Sequence, residues 1–161
     1  MDMLKNMKIG TRLGVETVNC SSSDQAVEGA DVVVMATATR DPVINGHAVG
    51  PGCTVISNTP EELDRATVRK ASKIVVTSAE DVQTHIPPWQ AVYDLVNAGE
   101  LPPEAMSYEI SDIIAGRKAG RTSEDEIIVC LNPGFGVHDV AAARYVYQRA
   151  RELGLGTELP T

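Results

Sequence analysis

The 161 residues carry 14 basic against 22 acidic side chains, a formal net charge of −8 spread without a basic stripe, which leaves a nucleic-acid backbone no electrostatic partner. Apolar residues make up 43% of the chain and aromatic ones only 4%, a balance that excludes disorder and favours one domain with a Val, Ile, Leu and Ala core in β/α layers. No run of 18 apolar residues occurs and the N-terminus lacks an apolar h-region, so neither a membrane span nor a secretory signal is expected, and the cytoplasm is the default location.

Leu4, Met7, Ile9 and Leu13 have helical spacing, weakened by Gly10, and a short strand is expected over 15–18. Ser21-Ser-Ser-Asp24 can cap a helix over 25–29, after which Val32-Val-Val-Met-Ala36 reads as a central parallel strand covered on both faces. Asp41-Pro42, Asn45-Gly46 and Pro51-Gly52 mark turns before a second strand over 53–57. Pro60-Glu-Glu-Leu-Asp64 has the proline and acidic first turn of a helix running to about residue 71, and a third strand follows over 74–77. Pro87-Pro88 and Pro102-Pro103 bracket an amphipathic segment over 89–98, and 110–115 reads as a short helix. A buried-type strand at Ile127–Leu131, the turn Pro133-Gly-Phe-Gly136 and a helix over 140–153 close the chain. In that helix Ala143, Val146 and Ala150 form one stripe, the pattern of ordinary packing.

Strands alternating with helices predict an α/β fold with an open, mostly parallel sheet, which binds ligands at the carboxyl ends of its strands. Those ends are Thr37-Ala38-Thr39 and Ser57-Asn58-Thr59, two clusters of small hydroxyl and amide residues that let a ligand approach the backbone. Either cluster alone is equally well read as turn chemistry, and the pair at successive strand ends favours a site. Gly134-x-Gly136-x-x-Asp139 imitates a dinucleotide fingerprint, but only about 22 residues follow, too few for the rest of that unit. It reads as a loop beside a ligand, not as a pyrophosphate turn.

Taken together, Ala30-Asp-Val-Val-Val-Met-Ala-Thr-Ala-Thr39 with Asp41-Pro-Val43, Glu62-Leu-Asp64, Gly116-x-x-x-Gly-Arg-Thr-Ser-x-Asp-Glu-Ile127 and the strand-plus-glycine turn ending in Asp139 resemble the ornithine cyclodeaminase/mu-crystallin family. The resemblance runs from about residue 26 to 155. It implies a partial Rossmann-like nicotinamide-dinucleotide domain over 1–132, and over 133–161 a C-terminal helix and tail returning toward a dimerisation region that is largely missing. It implies NAD or NADP as cofactor, with Thr37, Ala38 and Thr39 against the dinucleotide, Ser57 and Asn58 facing its nicotinamide end, and Gly134 and Phe135 approaching from the tail side. The implied partners are a small amino- or imino-acid substrate and a second copy in a homodimer. The implied activity is hydride transfer of the ornithine cyclodeaminase, amino-acid dehydrogenase or ketimine reductase type, with deamination in the cyclodeaminases. The alternatives are a non-catalytic, mu-crystallin-like NADPH-binding or dimerisation module and a truncated remnant without activity. The cyclodeaminases place a catalytic Asp after the second strand, where this chain has Asn58, and an amide cannot exchange a proton near neutral pH; no catalytic residue is assigned. The resemblance also implies a preceding Gly-x-Gly-x-x-Ala strand-turn-helix, so the chain reads as the C-terminal half of a family member.

Among single residues, His138 and Asp139 are better read as first-turn solvent contact and capping than as catalytic groups. His47 and His85 share no ligand spacing, and Cys20, Cys53 and Cys130 have no CxxC spacing, so no metal is expected. Arg117, Lys118 and Arg121 can grip a phosphate or carboxylate, or sit in a solvated turn.

Overall fold

A computed structural model describes residues 9–37, 39–84, 88–157 and 159. In chain order its elements are α1 (Ile9–Leu13), α2 (Ser23–Val27), β1 (Val32–Met35), β2 (Thr54–Ser57), a 3-10 turn at Pro60–Glu62, α3 (Arg65–Lys70), β3 (Lys73–Val76), α4 (Ala79–Thr84), α5 (Gln90–Asn97), a 3-10 turn at Pro103–Met106, β4 (Tyr108–Glu109), α6 (Ile110–Ile114), β5 (Ile128–Leu131) and α7 (Gly136–Glu152). The expected helical spacing at Leu4 and Met7, and the candidates Ala38 and His85, lie outside the described residues.

The strands form one parallel sheet in the order β1-β2-β5-β3-β4, which confirms the expected α/β class. β5, last in sequence, sits in the middle, and its apolar run suits that place: Val129 and Leu131 are fully buried. The partner rows run Met35–Ser57–Leu131–Val76 and Val33–Val55–Val129–Ile74 on one face. That face forms the core with Val68 of α3, Ala91, Val92 and Leu95 of α5, and Trp89. Each fully buried Val or Leu contributes about 1.5–3 kcal/mol.

The other face is thinly covered. Val32 is 57% and Val34 62% exposed, and their row partners Thr54, Ile56, Ile128 and Cys130 are half-buried. This corrects the reading of 32–36 as a central strand. Continuous hydrophobicity registers that both faces of β1 are apolar, not whether anything covers them, and β1 is an edge strand with one open face. The expected strand at 15–18 is irregular and exposed.

The expected helix from Pro60 divides in two. Asp64 ends the first turn by accepting the Thr67 N–H at 2.9 Å as the N-cap of α3, and its other oxygen accepts the Gly46 N–H at 3.2 Å. The cap expected at the second helix is present, with Ser22 Oγ accepting the Gln25 N–H at 3.2 Å. α4 and β4 carry too few periodic residues to be read in advance. α7 corrects a further expectation: none of its residues is buried, and of the Ala143, Val146, Ala150 stripe only Ala150 is half-buried while the other two are exposed.

Candidate functional site at the carboxyl edge of the sheet

β1, β2 and β5 are consecutive neighbours with Met35, Ser57 and Leu131 in register, so the segments starting at Thr37, Asn58 and Asn132 leave the sheet side by side. Three of the places singled out by sequence therefore share one edge, the end at which open parallel sheets hold ligands.

Side chains tie these exits together. Asn58 Nδ2 donates to the Met35 carbonyl at 2.8 Å, and Asn58 Oδ1 accepts from Asn132 Nδ2 at 2.9 Å. The Asn132 N–H donates to the Ser57 carbonyl at 2.8 Å, and the fully buried Ser57 donates its hydroxyl to the Thr59 carbonyl at 2.8 Å. Asn58 thus spends both ends of its amide joining β1 to β5 across β2. Thr39 closes its own turn, its hydroxyl donating to the Asp41 carbonyl at 2.5 Å.

A residue the sequence reading did not place at the site holds the other side. Glu62 is fully buried. Its Oε1 accepts both the N–H and the hydroxyl of Thr37, the hydroxyl at 2.6 Å, and its Oε2 accepts the Thr59 N–H at 3.3 Å. The signal was present, because Thr59-x-x-Glu62 has the spacing by which a glutamate reaches back to the residue ahead of a helical turn. The reach across to Thr37 is tertiary and leaves no local trace.

Gly134 takes φ 86°, with open space where a Cβ would stand. The Phe135 ring stands edge-on to His138 with centroids 5.5 Å apart. Both rings border a cavity of about 450 Å³ at the ends of β3 and β4, lined also by Thr77, Ser78, Glu109 and Ser111. Glu109 accepts the Ala79 N–H at 2.8 Å. Thr77 is 9% exposed and its hydroxyl lacks a partner among the described residues. The strand-end rule, applied to the third strand as to the first two, would have named Thr77 and Ser78.

The basic run lies at the opposite end of the sheet. Arg117 and Lys118 pair with Asp112 at 2.8 and 3.3 Å. Arg121 donates to the Glu126 carbonyl and to Thr54 Oγ1 at the start of β2. Lys73, at the start of β3, meets Glu126 at 2.6 Å and the Gly120 carbonyl at 2.9 Å. The Lys73 ammonium, then the Thr122 hydroxyl and N–H, hold the Glu126 carboxyl down to about 2. These cations latch the loop before β5 to the sheet, and the phosphate-gripping alternative for them falls.

His138 donates its N–H to the Phe135 carbonyl and Asp139 stands exposed in the first turn of α7, where its charge suits the helix dipole. Phe135, at the N-cap, makes no side-chain cap bond. Burial pushes the Cys130 and Cys53 thiols up, and Cys20 is exposed. Among the described residues no three His, Cys, Asp or Glu side chains gather as a metal site, and no helix is long and apolar enough to cross a membrane.

The model of the ornithine cyclodeaminase/mu-crystallin family matches residues 3–154. The chain belongs to this family. It is 31% identical over 144 residues to a Delta(1)-pyrroline-2-carboxylate reductase of Bacillus cereus, covering 84% of this chain and 42% of that protein. Among solved structures, the Thermococcus litoralis Delta(1)-pyrroline-2-carboxylate reductase in complex with NADH and L-proline is 30% identical with TM-score 0.79, covering 95% of this chain and 48% of that one. An archaeal alanine dehydrogenase dimer with bound NAD is 27% identical with TM-score 0.73, covering 98% and 48%. The chain spans about half the length of the relatives it matches.

Proposed function

We propose that this chain forms the nicotinamide-side wall of an NAD- or NADP-dependent enzyme acting on a small amino or imino acid. The observation that carries the proposal is the side-by-side exit of β1, β2 and β5 at small polar residues, in a chain similar to proteins solved with NADH or NAD. The residues present fit the ring end of a dinucleotide better than its diphosphate. Thr37, Thr39, Ser57 and Gly134 are small enough for close approach, yet the Thr37 and Thr59 N–H groups are already turned inward onto Glu62, so neither can receive a phosphate oxygen.

Thr37, Ala38 and Thr39 are assigned to the dinucleotide, Ser57 and Asn58 to its nicotinamide end, and Gly134 and Phe135 to the side facing the tail. A bound nicotinamide supplies a hydride acceptor or donor. The protein's part is to fix the strand exits through Asn58 and Glu62 and to leave Asn58 committed to that task rather than to proton transfer. Fluorescence titration of the chain with NADH and with NADPH tests this reading, and binding of neither up to millimolar concentration would refute it.

The second reading, a non-catalytic binding and dimerisation module, is favoured by the same commitment of Asn58, which sits where the cyclodeaminases carry an acidic group. Turnover of 1-pyrroline-2-carboxylate, ornithine or alanine excludes it. In both readings residues 133–161 belong to a dimerisation region. The exposure of α7, which has no buried residue, supports this, and light scattering of the purified chain tests it.

A further inference from the structure

The cavity at the ends of β3 and β4 lies on the far side of β5 from the exits at Thr37 and Asn58. Its volume of about 450 Å³ falls within the range of small-molecule sites. Thr77, on its wall, is 9% exposed, and its hydroxyl has no partner among the described residues. A buried hydroxyl left unpaired costs free energy, which a polar atom entering the cavity recovers. Glu109, at the end of β4, spends one carboxylate oxygen on the Ala79 N–H at 2.8 Å, while the other receives a long 3.4 Å contact from the Ser111 hydroxyl. That second oxygen, Oε2, keeps lone-pair capacity for a stronger donor.

The apolar part of the wall consists of Ile110, Ile114, Ala115 and the Phe135 ring, which His138 meets edge-on. Among the described residues that line the cavity only Glu109 and His138 can carry charge, and no lysine or arginine joins them. A ligand carboxylate or phosphate entering here therefore meets a carboxylate with no fixed cation beside it, whereas an ammonium group finds its counter-ion in Glu109.

We infer that this cavity is a binding site for a primary ammonium group borne on a short apolar body, the ammonium donating to Glu109 Oε2 and to the Thr77 hydroxyl oxygen and the apolar part lying against Ile114 and Phe135. The site goes beyond the cofactor reading and stands without it, since none of its residues belongs to β1 or β2. An amino acid suits it poorly, because the α-carboxylate finds no cation to pair with.

The test follows the backbone amides of the 161-residue chain by two-dimensional NMR during titration with benzylammonium chloride, and separately with sodium benzoate, near neutral pH. Benzylammonium is expected to give saturable shifts at Thr77, Ser78, Glu109 and Ser111, and benzoate to give none there. Glu109→Gln, whose amide oxygen can still accept the Ala79 N–H, is expected to raise the benzylammonium dissociation constant by about tenfold. Three results overturn the inference: no saturable shift with benzylammonium, benzoate bound as tightly, or a Glu109→Gln constant within about twofold of the parent. Should Glu109→Gln lack a cooperative thermal transition, Thr77→Val decides. It removes the unpaired hydroxyl at nearly constant volume, so it should melt no lower than the parent and bind benzylammonium about threefold more weakly, and unchanged binding overturns the inference.

Discussion

Asn58 offers the sharpest test of how the strand exits are held. A carbonyl oxygen only accepts, so the Met35 contact fixes the amide with Nδ2 toward β1 and Oδ1 toward Asn132. Asn58→Ala deletes both bonds, each with a net value of about 1 kcal/mol, and strands the Met35 carbonyl and the Asn132 amide, whose desolvation adds to the loss. Because Asn58 is half-buried, water replaces part of what is lost, and the expected cost is about 2–3 kcal/mol. Urea denaturation reads this as a lower midpoint at unchanged slope. Asn58→Asp separates the two bonds. The Asn132 contact survives, but an ionised carboxylate faces the Met35 carbonyl oxygen, and only the protonated acid can donate to it. The folded state then binds the proton more tightly than the unfolded state. The deficit against the parent is therefore largest at neutral pH and shrinks as pH falls toward about 4. An Asn58→Ala cost under about 0.5 kcal/mol, the range of ordinary surface substitutions, refutes the clamp. So does an Asn58→Asp deficit that ignores pH.

Glu126 should contribute to acid stability. Its carboxyl is lowered from 4.5 to about 2 in the folded chain, so its contribution is complete above 4.5 and is lost as pH falls through about 2. In thermal melts across that window Glu126→Gln should show a flatter dependence than the parent, and parallel curves would remove the Lys73 latch from the account. Asp64→Ala should cost about 1 kcal/mol or more by urea denaturation, since the N-cap of α3 and the Gly46 acceptor go together. Gly46→Ala should cost about 2–3 kcal/mol, because the new Cβ would stand 2.4 Å from the Thr67 nitrogen and 2.5 Å from the Ala66 carbonyl carbon, both backbone atoms. Val34→Lys on the open sheet face should change stability by no more than about 0.5 kcal/mol and reduce self-association in light scattering. A large destabilisation there would mean the face is covered.

Patterning made the layer class and the positions of β1, β2, β3 and β5 legible, since short apolar runs bounded by turn residues need only local information. Strand order was not legible in the same way. That β5 enters between β2 and β3 follows from burial and long-range register, and the run at 32–36 is as apolar as the one at Ile128–Leu131 although one is an edge and the other central. At the site, the exits at Thr37, Ser57 and Gly134 could be named because strand ends are local features. The bonds that organise them could not, because the Glu62 to Thr37 and Asn132 to Asn58 contacts span 25 and 74 residues. The basic run at Arg117–Arg121 stayed open between a phosphate grip and a solvated turn for the same reason: only the fold carries it to the amino end of the sheet.

The two ends of the sheet divide the electrostatics between them. At the amino end Lys73 and Glu126 form an ion pair, and Arg121 donates to the Glu126 carbonyl, so that together they fasten a loop. At the carboxyl end the exits of β1, β2 and β5 are tied by the amides of Asn58 and Asn132 and, beneath Thr37 and Thr59, by the carboxylate of Glu62. Four-residue strands separate the ends by about 10 Å, roughly one Debye length at physiological salt. The amino-end contacts are therefore too distant to act on the exits, and the losses from Glu126→Gln and Asn58→Ala should add.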